Sequence, residues 1–323
     1  MQRLLVLLSM IMAGCTSLPM IDAPSLNHNS RVNYLVLHFT SEDFAESLRL
    51  LTQRTEYPVS VHYLVPETGD ATYDRQALKI YQLVPESRRA WHAGRSYWAG
   101  ADALNDTSIG MEIVNRSACF NNDPDTESPT PEDQTCHLLA FPDEQIELVI
   151  RLAIDILDRN HDIDPVDVIG HGDIAPGRRV DPGPLFPWKR LYDNGIGAWY
   201  DNESVARYVK QFSAGFPELA SIQRALNAYG YLIEVSGEND VQTRFVTRAF
   251  QMHFRPRMTS GQLDIETVAI LFALIEKYRP GLLDDLLAGM QAEARGSRHQ
   301  PLGKTAIGHP AAPHGTVANI QIP

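Results

Sequence analysis

Over the first two thirds of the chain, short β-branched apolar runs alternate with apolar residues at helical spacing. Tyr34 to Phe39 (YLVLHF), Ser60 to Val65 (SVHYLV), Lys79 to Val84 (KIYQLV), Ile109 to Val114 (IGMEIV) and Val166 to Ile169 read as strands. Ser41 to Leu51 reads as a helix. Pro142 to Asn160 is the plainest helix, because Ile146, Val149, Ile150, Ala153, Ile154 and Leu157 fall on one face. Strands interleaved with helices predict an α/β layer fold over residues 31–200. After Trp199-Tyr200 the pattern becomes helical throughout. IQRALNAYGYL, VQTRFVTRAFQMHF and DIETVAILFALIEKY, separated by Gly- and Pro-bearing turns, predict a small three-helix domain over 204–280. The remainder, 285–323, has scattered Pro and Gly and too little periodicity to form a core, so a disordered tail is expected there.

The first residues form an address. Met1-Gln2-Arg3 precedes LLVLLSMIMA, the layout of a secretory signal and too short for the about 20 residues that span a bilayer. Met12-Ala13-Gly14-Cys15 resembles the bacterial lipobox, which implies a signal peptide over 1–15, lipidation of Cys15 and a polar tether over 16–30. By resemblance to Gram-negative lipoproteins, Thr16 in place of the Asp that would favour the inner membrane implies a periplasmic protein lipid-anchored to the outer membrane. Each buried lipid CH2 contributes about 0.8 kcal/mol, so several chains hold such an anchor firmly.

Charge narrows the partners. Lys and Arg total 28 against 40 Asp and Glu, a net charge of -12. No global basic field exists to hold a polyphosphate, which argues against nucleic acid. Export also changes how Cys119 and Cys136 read. They flank the acidic, Pro-rich stretch NNDPDTESPTPEDQT, and in an oxidising compartment they can close it as a disulfide, adding roughly 3 kcal/mol. Two free thiols are the alternative; neither cysteine has neighbours at zinc-site spacing.

His38 stands near the C-terminal end of the strand YLVLHF, where α/β sheets present functional groups. His171 follows the strand VDVIG in the same way, and Asp181 comes ten residues later. Two imidazoles and a carboxylate that leave one position open make a catalytic zinc arrangement. Spacing alone leaves that reading open, since such sets also arise by chance.

Five blocks in fixed order carry more: LVLHFT (35–40), SVHYLV (60–65), WHAG (91–94), LNDTSIGMEI (104–113) and GHGDIAPGRRVDPGPLFPW (170–188). Together they resemble the zinc N-acetylmuramoyl-L-alanine amidases of the amidase-2 family, relatives of the peptidoglycan recognition proteins, and most of all the family's outer-membrane lipoproteins. The resemblance implies a central mixed β-sheet flanked by helices and one Zn2+ held by His38, His171 and Asp181. It places the catalytic carboxylate at Glu112, and Arg179 where many members have Lys. A cation there would stabilise a tetrahedral oxyanion, although Arg and Lys differ in shape and donor geometry. His62, His92 and Asn105 become candidates to contact substrate, with structural hydrogen bonding as the alternative. Trp91, Trp98 and Trp188 are candidates to stack on sugars, with packing as the default. IQRALNAYGY and TRAFQMHF resemble a peptidoglycan-binding helical module whose expected Gly-rich turn is here SGENDVQT.

The implied activity is zinc-dependent hydrolysis of the amide between N-acetylmuramic acid and L-alanine in peptidoglycan or muropeptides, by a monomer. One rival is a non-catalytic peptidoglycan receptor, which typically lacks the third ligand. The other is a glycosidase, which needs two carboxylates about 5 to 9.5 Å apart; Glu112 has no evident second one that is not a metal ligand.

Overall fold

A computed structural model of the chain describes residues 18, 20–123, 126 and 129–297. The whole predicted signal, residues 1–15 with Cys15, lies outside them, as do residues 16, 17 and 19 of the tether. The chain divides at Ser30, and from Arg31 onward it forms one compact unit. No helix among the described residues is long and apolar enough to cross a membrane.

Within this unit the elements run β1 (Tyr34–Phe39), α1 (Phe44–Thr52), β2 (Tyr63–Val65), β3 (Tyr81–Gln82), β4 (Tyr97–Trp98), β5 (Ala101–Asp102), β6 (Ser108–Ile113), β7 (Ala118–Asn121), β8 (Gln134–His137), α2 (Asp143–Arg159), β9 (Val168–Gly170), α3 (His171–Ile174) and α4 (Trp188–Asp193). Five helices follow: α5 (Asn202–Ala214), α6 (Leu219–Tyr229), α7 (Val241–Phe254), α8 (Ile265–Tyr278) and α9 (Pro280–Ser297). The main sheet has the order β3-β2-β6-β1-β9, parallel except for β3, which runs antiparallel to β2. All six residues of β1 are buried, as a strand covered on both faces requires. The apolar face of α2 meets the same core through Ile146, Val149, Ile150 and Ala153.

The predicted strand at 60–65 keeps its ladder only from Tyr63. Its first residues bond instead to the segment carrying the WHAG block: Ser60 N donates to Trp91 O at 3.1 Å. β7 and β8 form a hairpin from the acidic, Pro-rich stretch, with Cys119 and Cys136 directly opposite in the ladder and joined as a disulfide.

The three expected C-terminal helices are α6, α7 and α8, and two further helices flank them. α5 packs on α8, and α9 covers α6 and α8. The segment expected as tail from 285 is therefore helical to Ser297; Leu283, Leu286, Leu287 and Met290 recur at helical spacing and pack on the core. Residues 298–323 lie outside the described part. Trp98, 1% exposed, binds the two parts together: its ring meets Tyr229 and Tyr231, and a Cβ on Gly230 would approach it to 2.8 Å. The turn SGENDVQT keeps one glycine, Gly237 at φ 73°, and is closed by side chains. Gln223 receives Gly237 N–H and donates to Ser236 Oγ, Glu238 O and Thr243 Oγ1, while Asp240 caps α7 through Thr243 N–H.

Candidate metal centre

The carboxyl ends of three neighbouring parallel strands converge on one spot. His38 is the next-to-last residue of β1, Glu112 is its register partner on β6, and His171 follows β9 directly. The chain then loops back, with Gly172 N donating to Asp181 O at 2.8 Å, so the carboxylate returns to the imidazole ten residues earlier. The return is close enough to require glycine at 170, where a Cβ would meet Pro182 Cδ at 2.7 Å.

His38 Nδ1, His171 Nδ1 and Asp181 Oδ2 form a triangle with sides of 3.0, 3.0 and 3.1 Å. The surrounding hydrogen bonds dictate what those atoms carry. Ser108 Oγ–H donates to Leu104 O at 2.6 Å, so Ser108 Oγ accepts from His92 Nε2–H at 3.1 Å. A neutral His92 then accepts at Nδ1 from His38 Nε2–H, at 3.0 Å. His171 Nε2–H donates to Ala93 O at 3.1 Å. Burial, and then the neighbouring imidazoles, hold His92 well below its ordinary value; burial and His171 lower His38 to about 4 against the pull of Asp181. Burial would raise the Asp181 carboxyl, yet the two imidazoles override it and keep the acid ionised. With Nε2 of both rings turned to outer partners, Nδ1 of His38 and Nδ1 of His171 are the atoms presented to Asp181 Oδ2. That arrangement suits a cation, and ligands on a tetrahedral zinc are separated by roughly 3.3 Å. The three residues are all buried and can hold one metal ion.

Glu112 stands beside this triangle. Its Oε2 is buried and has no hydrogen-bond partner among the described residues. Burial first, and the charge of Asp181 second, raise its carboxyl well above the usual range, while Arg179 pulls it down. A cleft of about 240 Å³ opens over these groups, lined among others by Trp91, His92, Glu112 and Arg179. Two consecutive arginines divide the labour there. Arg178 is half-buried and donates to Ala93 O and Arg95 O, bracing the WHAG segment against the ligand loop. Arg179 is exposed and faces the cleft.

Of the expected substrate contacts, His62 does not reach the cleft. It is fully buried, receives the N–H of Gly110 in β6 at Nδ1 and donates from Nε2 to Arg88 O in the loop before β4. His92 lines the cleft, but both its ring nitrogens are engaged in orienting His38. It lies so close to β6 that a Cβ on Gly110 would come within 2.6 Å of the ring. Asn105 Oδ1 accepts from the backbone N–H groups of His92 and Ala93, and so shapes the WHAG turn. Trp98 and Trp188 are buried in packing, and only Trp91, 48% exposed, is available to a sugar. Ser108 and Arg178 went unassigned from sequence although both lie inside the quoted blocks. Asp173 and His253, which bond each other at 2.8 Å, were missed too, and a histidine within a helix gave no signal.

Fold and site together place a buried His-His-Asp group that could hold a metal ion at the carboxyl edge of an α/β sheet, with a helical module packed behind it. Residues 28–184 match the family described as N-acetylmuramoyl-L-alanine amidase, and residues 217–271 match a putative peptidoglycan binding domain. The chain is 44% identical over 249 residues to N-acetylmuramoyl-L-alanine amidase AmiD of Escherichia coli, covering 77% of this chain and 84% of that protein. The crystal structure of AmpDH3 from Pseudomonas aeruginosa in complex with anhydromuramic pentapeptide superposes with a TM-score of 0.73 at 43% identity, covering 81% of this chain and 99% of that one. The complex of E. coli AmiD with anhydro-N-acetylmuramic acid-L-Ala-D-gamma-Glu-L-Lys gives 0.66 at 41% identity, covering 79% and 93%. The chain belongs to the N-acetylmuramoyl-L-alanine amidase family.

Proposed function

We propose that this chain hydrolyses the amide bond between N-acetylmuramic acid and L-alanine in peptidoglycan or muropeptides, with one zinc ion held by His38, His171 and Asp181. The observation that carries the reading is the triangle of two imidazole nitrogens and a carboxylate oxygen, with the buried Oε2 of Glu112 beside it bonded to none of the described residues. When bound, zinc supplies Lewis acidity toward the scissile carbonyl and makes a water acidic enough to lose a proton near neutral pH. Glu112 takes that proton on its free Oε2 as the water attacks, and returns it to the amine of L-alanine as the bond breaks. Its raised basicity fits both halves of that task. Arg179 lines the cleft where charge builds on the attacked oxygen, and a cation there stabilises it. His92, through His38 Nε2–H, keeps the metal-facing nitrogen free of a proton.

Retention of Asp181 favours catalysis over a receptor role, and a single chain supplies every group, so a monomer suffices. Relatives of known structure hold anhydromuramic peptides, which makes such fragments the first substrates to try. The sequence of residues 1–15 supports export and anchoring through Cys15 at the outer membrane, facing the periplasm, and the helical module is read as an aid to wall contact. The test is mass analysis of products from a defined muropeptide. The account predicts a free peptide beginning with L-alanine and an intact sugar. Release of a reducing sugar still bearing its peptide would indicate a glycosidase, and binding without cleavage would indicate a receptor.

A further inference from the structure

We infer that α7 of the helical module is a working part of the metal site, and that His253 and Tyr231 are positioning residues for the ligand His171. The inference rests on the metal reading above. His171 sits on a four-residue helical turn that no sheet ladder holds. What fixes that turn is Asp173, buried at 4% exposure and two residues beyond the ligand. Asp173 Oδ2 accepts from Gly170 N–H at 2.9 Å, closing the turn on the residue before the ligand. Its other donors come from far along the chain. His253 Nδ1–H reaches Oδ2 at 2.8 Å and Tyr231 Oη–H reaches Oδ1 at 2.6 Å.

Those donors are themselves held rigidly. The His253 ring lies stacked between Trp188, at 3.8 Å and 18°, and Phe254, at 3.9 Å and 5°, while Tyr231 is fully buried against Trp98. The same face of α7 supports the rest of the ligand loop. The Phe245 ring lies 3.1 Å from where a Cβ of Gly177 would be, and Ala249 and Met252 line a small gap beside Val180, Asp181 and Pro182. A carboxylate with three donors, two of them supplied by the module, holds the main chain that aims His171 Nδ1. Outer partners of this kind are worth about 10- to 100-fold in metal affinity.

The experiment measures zinc affinity of the metal-free chain by competition with a chromophoric chelator, together with its metal-free melting temperature. His253→Phe keeps a flat ring in the stack and removes the donor; His253→Asn restores an N–H near the position of Nδ1. The inference predicts that His253→Phe weakens zinc about 10- to 100-fold with melting little changed, and that His253→Asn recovers affinity to within about threefold of the parent. If His253→Phe fails to fold, Tyr231→Phe removes the second donor inside an unchanged ring and is read the same way. Parental zinc affinity in the folded Phe variant would overturn the inference alone. A parent chain that takes up no zinc would overturn both the inference and the metal reading.

Discussion

The two halves of the site are built differently. His38 and Glu112 stand on β1 and β6, and their spacing follows from a parallel register in which one is the partner of the other. His171, Arg179 and Asp181 stand on an irregular loop whose shape comes from glycines, from Arg178 braced on the WHAG segment, and from donors on the helical module. A ladder places side chains by repetition, whereas a loop must be held by contacts from elsewhere. The carboxylate proposed to handle the proton is thus placed by the sheet, and the proposed metal ligands are divided between the two supports.

The largest effect that would break this division is on the strand side. Glu112→Gln is expected to lower turnover about 10²- to 10⁴-fold with zinc uptake unchanged, measured as initial rate and metal content of the same sample. The carboxyl must be ionised to accept a proton. Because its pKa is raised, the acid limb of the rate profile should lie above the ordinary carboxylate value of about 4.3, with activity falling as pH drops through it. The residual rate of the Gln variant should lack that limb. A Gln variant that lost zinc would show that the sheet half also holds the metal through Glu112.

A smaller effect sharpens the loop side. Arg179→Ala is expected to cost about 10²-fold in kcat, with zinc affinity and melting temperature close to the parent, since its side chain faces only the cleft. Arg179→Lys should recover part of the loss by restoring charge without the planar fork. Weaker zinc binding in Arg179→Ala would instead make it a support of the loop like Arg178.

The same division explains what was legible in the sequence. The strands β1 and β6 announce themselves by apolar periodicity, and the ordered blocks place His38, Glu112, His171, Arg179 and Asp181 by resemblance. The cleft gathers Glu112, His171, Arg179 and Asp181, and His38 completes the metal triangle. Periodicity could not decide between a cleft and a structural role for His62 and His92: His62 is buried and bonded to backbone, while His92 lines the cleft and also bonds His38, 54 residues away in sequence. His253 and Tyr231 had no signal, because their meaning depends on a carboxylate 80 and 58 residues away. The tail was misjudged at its start, where Leu283, Leu286, Leu287 and Met290 form an apolar face that extends the helical module.

Stepwise return of zinc to the metal-free chain, with L-alanine peptide release from a defined muropeptide followed by mass, tests the central claim most directly. The account predicts no cleavage without metal and a rate that rises linearly and saturates at one zinc per chain. Cleavage by the metal-free chain, or saturation only at two or more zinc ions, would contradict it.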